Sequence, residues 1–307
     1  MAEKRSFDLV ILGGGPAGMA AAIYAARANL SAAIVEANIC GGLVNSTKVV
    51  ENFPSYKSIN GMELMQRVTE HVESLRVEVD QVAEVISVRL NEAVKEIETD
   101  DYIYQAPAII LATGRKPVQL DLDTGECDQI HYCTICDGAT YKNKHVLVVG
   151  GGNSGFDEAC YLNSLGVASI HLIEQMEHFF AAEATQKQLL SSQNVTAETS
   201  TRPVELIFED RLKAVRVENV ITGKVKTMKI DGIFVYIGQI PNTDLFTGVI
   251  ALDENGYIIT NEDMKTNLPA VYAAGDVRQK KYRQITTAMN DGTIAALSAI
   301  EQLRKHR

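Results

Sequence analysis

Two copies of one glycine pattern restrict the fold of this chain more than any other feature of its sequence. The pattern G-x-G-x-x-G occurs at residues 13–18, directly after the apolar run 7–12, and again at residues 150–155, directly after the apolar run 145–149. A buried strand, a glycine turn and a helix in this order begin a dinucleotide-binding βαβ unit. One copy would be a weak signal, but an internal duplication is much more specific. We therefore predict two Rossmann-like nucleotide-binding domains in one α/β chain.

The three glycines of each copy have separate tasks. The first makes the turn, the second lets the backbone approach a pyrophosphate, and the third lets the helix pack on the strand. The helix N-terminus adds N–H donors and the positive end of its dipole. In both copies the next strand ends at an acid, Glu36 or Glu174, which can hold a pair of ribose hydroxyls. The first copy is thus predicted to bind a nucleotide, and the second copy has the same dinucleotide-type construction.

The order of the elements predicts that the second domain is inserted in the first. The first copy lacks a complete sheet before the second copy begins, and the apolar strand ending at Gly275-Asp276 would complete it. We predict a first domain of residues 1–115 and 244–307 and an inserted domain of residues 116–243, each with a three-layer ββα architecture. Alternation of apolar residues from Val77 to Val88 and on to Tyr104 predicts a small β-meander in the first domain.

A close cysteine pair, Cys133 and Cys136, lies in the predicted inserted domain with Asp137 directly behind it. Such a pair can close a disulfide, and its surroundings can lower a thiol pKa to give a nucleophilic thiolate. Zinc uses the same spacing but needs two further ligands, usually as a second close pair, and the other cysteines are isolated. We predict redox chemistry and no metal site. Asp137 is either an acid/base or a turn residue, and His131 is either a proton carrier or an ordinary polar residue.

The composition excludes several classes of protein. The chain has 29 basic and 39 acidic residues and a formal net charge of −10, which argues against a nucleic-acid-binding protein. No apolar run is long enough to span a bilayer, so no membrane association is expected. Five cysteines with one close pair, and no signal peptide, predict a cytoplasmic protein with a catalytic disulfide.

Four further segments, together with the glycine patterns and Cys-x-x-Cys-Asp-Gly, make the chain resemble the low-molecular-weight thioredoxin reductases. They are Glu51-Asn52-Phe53-Pro54, Ala112-Thr113-Gly114, Gly275-Asp276-Val277 and Arg283-Gln284. The resemblance implies FAD in the first domain, a pyridine nucleotide in the inserted domain, and a homodimer. It also implies a disulfide that passes electrons to thioredoxin, and an inserted domain that swings between two positions.

The resemblance also implies roles for individual residues. Cys136 would face the flavin, Cys133 would attack the partner disulfide, and Asp137 would move the thiol proton. Asp276 would bind the ribityl chain, and the residues along the isoalloxazine edge would include Arg283. The predicted FAD-binding residues are Gly13, Gly15, Pro16, Ala17, Gly18, Glu36, Gly42, Leu43, Asn52, Val82, Thr113, Gly114, Gly275, Asp276, Arg283, Gln284 and Ile285. The residues predicted for NADH are Gly152, Asn153, Ser154 and Glu174.

The chain departs from the family where the family reads NADPH. In place of a basic His-Arg-Arg-x-x-x-Arg run, residues 174–180 read Glu-Gln-Met-Glu-His-Phe-Phe. A 2′-phosphate carries about two negative charges, and without its arginine partners it should lose several kcal/mol of binding free energy. NADPH is therefore unlikely. Either the enzyme uses NADH, or the site is a relic that Phe179 and Phe180 fill, and electrons come from a carrier such as ferredoxin.

Two other functions stay open on the sequence alone. A dithiol oxidase would run the disulfide backwards, oxidise a small dithiol and pass electrons to oxygen. A flavin-bound redox sensor would bind the cofactor without fast turnover. Leu43 stands where the family usually has Gln, and Ser55 where it often has Gly, so the polarity around the flavin is expected to differ from that of the family.

Overall fold

The computed structural model describes residues 3–124 and 127–305. Its contacts divide the chain into a first unit, Met1–Lys116 with Ile240–Arg307, and an inserted unit, Pro117–Gln239. Residues 240–243 belong to the first unit because they are bonded to it; for example, Asn242 N–H donates to Gly114 O at 3.0 Å. Lys116 belongs there as well, through its ion pair with Asp244.

The helices and strands follow the predicted order. Before it enters the inserted unit, the chain forms β1 (Glu3–Ser6), β2 (Leu9–Leu12), α1 (Pro16–Arg27), β3 (Ala32–Glu36), α2 (Gly61–Ser74), β4 (Glu78–Gln81), β5 (Val85–Arg89), β6 (Lys95–Thr99), β7 (Tyr102–Ala106), β8 (Ala108–Leu111) and β9 (Arg115–Pro117). It continues with β10 (Ile130–His131), α3 (Thr134–Asp137), β11 (His145–Val149), α4 (Asn153–Ser164), β12 (Ser169–Ile173), α5 (Glu183–Leu190), β13 (Val195–Glu198), β14 (Thr201–Phe208), β15 (Leu212–Asn219), β16 (Val225–Lys229), β17 (Gly232–Val235) and β18 (Gln239–Pro241). It returns to the first unit for β19 (Val271–Ala273) and α6 (Ile285–Lys305).

The first unit is built on a parallel sheet of order β19-β8-β2-β3-β4. Successive side chains of a strand point to opposite faces. Accordingly, Leu9 and Ile11 of β2 pack with α1, α2 and α6, whereas Val10 and Leu12 pack with the second sheet, β1-β7-β6-β5. β19 pairs with β8 in the register Val271↔Ile109, so the late strand completes the first sheet, as predicted.

The inserted unit repeats this plan. Its parallel sheet has the order β10-β17-β11-β12-β13, and an antiparallel sheet, β14-β15-β16, forms a further layer. Val146 and Val148 of β11 pack with α4, and Leu147 and Val149 pack with the antiparallel sheet. The predicted fold class, two Rossmann-like ββα arrangements in one α/β chain, is confirmed.

The predicted meander is correct only in its later part. β5, β6 and β7 form antiparallel neighbours, but β4 joins the parallel sheet beside β3, with Ala33 opposite Glu78. Val82 follows β4 with a positive φ of 61° and redirects the chain before β5 begins. The alternation of apolar residues does not reveal this change of sheet. Within the described ranges, no helix combines the length and apolar composition needed to cross a bilayer.

Candidate active site

The cysteine pair lies in a short turn of helix at the edge of the inserted unit's parallel sheet. Cys133 and Cys136 form a disulfide with a Cα–Cα distance of 5.4 Å. Cys133 is the N-cap of α3, and the Cys136 N–H donates to Cys133 Sγ at 3.3 Å. Because a donated N–H stabilises negative charge on the acceptor, the opened pair would hold a thiolate most readily at Cys133. Cys136 is exposed, and Cys133 is half-buried.

Asp137 ends α3 directly after the disulfide. Its carboxylate lies 3.1 Å from the imidazole of His131, which precedes the pair on β10. The Asp137 side chain is 41% exposed and that of His131 is 11% exposed. A part-exposed carboxylate beside a buried imidazole can exchange protons with solvent and with a neighbouring sulfur.

A second carboxyl group lies behind the disulfide turn. Thr134, between the two cysteines, is buried, and its hydroxyl is hydrogen-bonded to the Tyr236 hydroxyl. Glu158 on α4 is also hydrogen-bonded to Thr134. Burial raises the pKa of Glu158 to about 7, with a smaller contribution from the charge of Asp157 and an opposing one from the Thr134 hydrogen bond. Sequence reasoning missed Glu158, because nothing in the helix pattern shows that α4 carries it to the cysteines.

Replacing Glu158 with Gln is expected to stabilise the holoenzyme at pH 8 more than at pH 5. The pKa of Glu158 in the folded chain exceeds the ordinary value of 4.5, so its stabilising contribution is present below about pH 4.5 and is lost as the pH rises towards 7. The full shift corresponds to several kcal/mol, and partial exposure reduces it to about 2 kcal/mol. Thermal unfolding at the two pH values measures this difference as a gain of several degrees for Glu158→Gln at pH 8.

The matched control is Glu177→Gln, since Glu177 is an exposed carboxylate of the same unit. The thermal unfolding temperature of this variant should equal that of the parent protein at both pH values. If Glu158→Gln differs from the parent by the same amount at pH 5 and at pH 8, the carboxyl group does not titrate in this range and the proposed pKa is wrong.

The first glycine loop leaves open space where a pyrophosphate would lie. Gly13 has a φ of +109°, and a Cβ on it would overlap Ala112 O. A Cβ on Gly18 would overlap Gly13 O, because α1 packs tightly there. At Gly15, the N-cap of α1, no atom of the described residues beyond its two chain neighbours lies within 4 Å of the position of a Cβ. Pro16 opens the helix and has no N–H to leave unpaired.

The second glycine loop has the same construction. Gly150 has a φ of +118°, a Cβ on Gly155 would overlap Gly150 O, and Gly152 caps α4 with no atom within 4 Å of a Cβ position. The two acids also match. Glu36 Oε2 accepts from Gly14 N at 2.6 Å, and Glu174 Oε2 accepts from Gly151 N at 2.6 Å. Both loops can therefore cradle a nucleotide whose ribose hydroxyls face the acid.

Segments far apart in the sequence assemble around the first loop. A Cβ on Gly275, whose φ is +81°, would press on the buried Ala17. Asn52 donates to Gln284 Oε1 at 3.1 Å. The remaining predicted residues lie on the same unit: Gly42 (φ +59°) near Gly15, Thr113 donating to Asn242 O at 2.7 Å, Gly114 (φ +64°), the exposed Leu43 and Val82, and Ile285 at the start of α6.

Buried polar atoms that make no hydrogen bond test whether this region fits FAD. Arg115 Nε, Asp276 Oδ1 and Arg283 Nε are buried and make no hydrogen bond to the described residues, although Lys280 Nζ lies 3.5 Å from Asp276 Oδ1. Buried donors and acceptors are normally bonded, so such a group of atoms calls for a polar ligand. The guanidinium of Arg283 stacks 4.1 Å above the ring of Tyr257, and that of Arg115 lies 3.4 Å from Asp276. The hydroxyl and carbonyl oxygens of FAD would supply the missing partners, so the residues present fit the cofactor.

The aromatic pair after Glu174 lies beside the second glycine loop. Phe179 packs beside Gly151 and against Phe156, with ring centroids 5.1 Å apart, as part of the core. Phe180 is exposed and lies 4.4 Å from the ring of His178. Of the other predicted residues, Asn153 accepts from Ala182 N at 2.8 Å and Ser154 is exposed on α4. Apart from its chain neighbours, no atom of the described residues lies within 4 Å of a Cβ position on Gly152.

Within residues 3–124 and 127–305, no group of three or more His, Cys, Asp or Glu side chains is arranged to hold a metal ion. The remaining cysteines, Cys40, Cys127 and Cys160, are free thiols. Burial raises the pKa of Cys40 to about 12, so this thiol does not ionise near neutral pH. The redox chemistry of the described cysteines therefore rests with the Cys133–Cys136 pair.

Known proteins match this chain over nearly all of its length. The chain is 42% identical over 302 residues to the 34.2 kDa protein in the rubredoxin operon of Clostridium pasteurianum, covering 97% of this chain and 98% of that protein. It is 35% identical over 316 residues to thioredoxin reductase of Bacillus subtilis (strain 168), covering 99% and 98%. The crystal structure of Lactococcus lactis thioredoxin reductase in its FR conformation superposes with a TM-score of 0.89 at 36% identity, covering 97% and 99%.

The family model described as pyridine nucleotide-disulphide oxidoreductase matches residues 7–292. This range includes both glycine loops, the Cys133–Cys136 disulfide and the Gly275-Asp276 segment. The chain therefore belongs to the pyridine nucleotide-disulphide oxidoreductase family, in which it is a thioredoxin reductase-like flavoenzyme.

Proposed function

We propose that this protein reduces thioredoxin or a thioredoxin-like protein, with NADH or a one-electron carrier such as ferredoxin as the donor and not NADPH. The observation that carries the proposal is a disulfide with an adjacent acid, Cys133–Cys136 and Asp137, on a unit that repeats a dinucleotide loop. Family membership implies FAD and a pyridine nucleotide. The thioredoxin reductases among the relatives support thioredoxin as the acceptor.

FAD takes up two electrons as a hydride and releases them to a disulfide, which is the chemistry that a bound flavin would supply here. The first unit would hold it at the open space beside Gly15, with Glu36 on the ribose and Asp276 on the ribityl chain. The unpartnered Arg115 and Arg283 nitrogens would complete their hydrogen bonds to the same molecule. These residues bind and orient the cofactor.

The sulfur pair would carry electrons in two thiol–disulfide exchanges. The Cys133 thiolate attacks a partner disulfide and forms a mixed disulfide, and one partner sulfur leaves. Cys136 then attacks Cys133, which re-forms the internal disulfide and releases the second partner sulfur. Asp137 supplies or accepts the proton that each leaving or attacking sulfur exchanges. Because the pair must also meet the flavin, the inserted unit would change position about the connections at β9 and β18, and a homodimer is the expected assembly.

The proposed preference for NADH over NADPH depends on the position of the Glu174 carboxylate. Its carboxylate accepts from Gly151 N at 2.6 Å and from Met176 N at 2.9 Å, so it is fixed beside the ribose position. A fixed negative charge repels a 2′-phosphate but can accept from a free 2′-hydroxyl, as in NADH. The relative in a rubredoxin operon favours a second option, since rubredoxins are one-electron carriers. Both options exclude NADPH as the preferred donor.

Anaerobic mixing of the oxidised holoenzyme with each donor tests this proposal. We expect NADH or reduced ferredoxin to bleach the flavin absorbance at least about tenfold faster than NADPH, because an unpaired phosphate beside a carboxylate costs more than 1.4 kcal/mol. Oxidised thioredoxin, added afterwards, should restore the absorbance.

Two different results would contradict the proposal. If NADPH bleaches the flavin fastest, Glu174 does not disfavour the 2′-phosphate. A reduced enzyme that thioredoxin fails to reoxidise, but that consumes oxygen in the presence of a small dithiol, would identify an oxidase instead.

A further inference from the structure

His131 is held rigidly at the edge of the inserted unit's parallel sheet. It ends β10, whose neighbour β17 places Phe234 directly opposite. Its ring centroid lies 5.0 Å from that of Phe234 and 5.1 Å, edge-on, from that of Tyr141. Only 11% of the His131 side chain is exposed, so the imidazole is packed between these rings.

Both nitrogens of this imidazole have polar partners. Nδ1 lies 3.1 Å from Asp137 Oδ2, and Nε2 lies 2.7 Å from the Tyr141 hydroxyl. The hydrogen bonds therefore form a chain from the buried Tyr141, through His131, to the carboxyl group that follows the disulfide. Asp137 is the exposed end of this chain and Tyr141 is its closed end.

The hydrogen bond between His131 and Tyr141 is kept whether or not the imidazole is charged. Burial raises the pKa of Tyr141 to about 12, so its hydroxyl keeps its proton. With the imidazolium, Nε2–H donates to the Tyr141 oxygen, and Nδ1–H donates to Asp137. When Nδ1 gives up its proton, Nε2–H still donates to the Tyr141 oxygen. The nitrogen that loses its proton faces the part-exposed Asp137, so the buried Tyr141 hydroxyl stays hydrogen-bonded in both states.

We propose that His131 stores a proton for Asp137, so that the His131–Asp137 pair, and not the carboxylate alone, exchanges protons with the Cys133–Cys136 sulfurs. This inference rests on the proposed disulfide reduction. His131 acts as a positioning residue, because it reaches the sulfurs only through Asp137.

The proton and electron balance of the step is simple. Two electrons, delivered by the reductant of the proposed reaction, break the Sγ–Sγ bond and leave two thiolates. The imidazolium passes its Nδ1 proton to the Asp137 carboxylate, and Asp137 passes it on to one of the thiolates and becomes a carboxylate again. The products are one thiol, one thiolate, ionised Asp137 and neutral His131 with its remaining proton on Nε2. Solvent reprotonates the pair through the exposed Asp137 carboxyl group.

The ionisable groups that act on Tyr141 are mostly acids. Most groups that act on this cluster are negative or become so on ionisation, and Lys144, with Nζ 4.9 Å from the Tyr141 ring, is the exception among the contacts described. Phe234, on the remaining neighbour β17, does not titrate. The ionisable groups that act on Tyr141 are Asp128, Cys127, Asp137 and Asp231, and those that act on Tyr236 beside Thr134 are Glu158 and Asp137.

The test is the pH dependence of thiol alkylation in the reduced holoenzyme. The protein is reduced with dithiothreitol, desalted anaerobically and pulsed with iodoacetamide between pH 5 and pH 9, and mass spectrometry counts the label on Cys133 and Cys136. His131→Asn keeps a donor near Asp137 but cannot titrate, and His131→Gln reaches towards Tyr141 instead. We expect both to move the midpoint of alkylation upwards by about one pH unit, because the thiolate loses a nearby positive charge.

Two further variants make the result decisive. Tyr141→Phe keeps the imidazole but leaves its Nε2–H without a partner, so we expect a smaller shift in the same direction. His178→Asn replaces an exposed histidine of the same unit and should leave the midpoint unchanged. If His131→Asn does not fold, as judged by retained flavin and thermal unfolding, Tyr141→Phe decides. Midpoints within about 0.2 unit of the parent's in the folded variants would overturn the proposal.

This assay separates the inference from the proposed function. It uses no thioredoxin, nucleotide or ferredoxin. The midpoint of alkylation therefore does not depend on which physiological partners the enzyme has. An enzyme that does not turn over thioredoxin but shows the shift would contradict the proposed function alone. One that turns over thioredoxin without the shift would contradict the role of His131 alone.

Discussion

Replacing Cys136 with Ser is expected to lower thioredoxin turnover at least about 1,000-fold while the purified protein stays yellow. A lone Cys133 can attack a partner disulfide, but no second sulfur is then available to release the mixed disulfide. The substitution is conservative and lies on the inserted unit, whereas the residues that fit FAD lie on the first. Steady-state thioredoxin reduction and the flavin-to-protein absorbance ratio measure the two effects.

Cys160→Ser is the matched control. This free cysteine lies on α4 of the same unit, and burial raises the pKa of its thiol, so it is not a thiolate near neutral pH. Turnover by the control should stay within about twofold of the parent. Normal thioredoxin turnover by Cys136→Ser would remove the disulfide from the mechanism and end the proposed function.

The second large effect comes from a matched pair of glycine substitutions, Gly15→Ala and Gly152→Ala. Each glycine caps a helix with φ near −80° and has open space where a Cβ would stand. Neither substitution therefore strains the backbone or meets protein atoms. The added methyl group stands where a pyrophosphate would approach, so only nucleotide binding should suffer.

The two sites should respond separately. Gly15→Ala is expected to weaken FAD binding at least about 100-fold, or about 3 kcal/mol, as measured by fluorescence titration of the stripped protein. Gly152→Ala should leave the flavin in place and, if NADH is the donor, slow NADH reduction by a similar factor. Reduction by ferredoxin should be unaffected by Gly152→Ala. Full FAD affinity in Gly15→Ala would contradict the assignment of the first loop.

The parts of this site that the sequence predicts are those that local sequence determines. Gly13 and Gly150 need positive φ values, and each directly follows a continuous apolar run. Residues that are close together in the sequence are therefore enough to predict each glycine loop. The insertion can also be predicted from the order of the elements. A strand at residue 271 can join the first sheet only if the second unit forms a separate domain between the two parts of the first unit.

The polar surroundings of the disulfide were not predictable in the same way. Glu158 and Tyr236 reach Thr134 of α3 from two different elements, and their proximity depends on how α4 and β17 pack, which no local pattern encodes. His131 was visible only as a neighbour in sequence. Its hydrogen bonds to Asp137 and Tyr141 depend on the pairing of β10 with β17. The charge of Glu158 likewise depends on burial, which is a property of the folded chain.

The pairing of β19 with β8 has a consequence for biosynthesis. Val271 lies opposite Ile109, so one edge of β8 stays unpaired until β19 is synthesised, after the whole inserted unit. The inserted unit is continuous in sequence and can fold as soon as it emerges, whereas the first unit cannot close until α6 and β19 arrive. The open β8 edge is a temporary aggregation hazard during translation. Gly275 and Asp276 belong to the proposed FAD site, so flavin loading would be one of the last events in the maturation of the nascent chain.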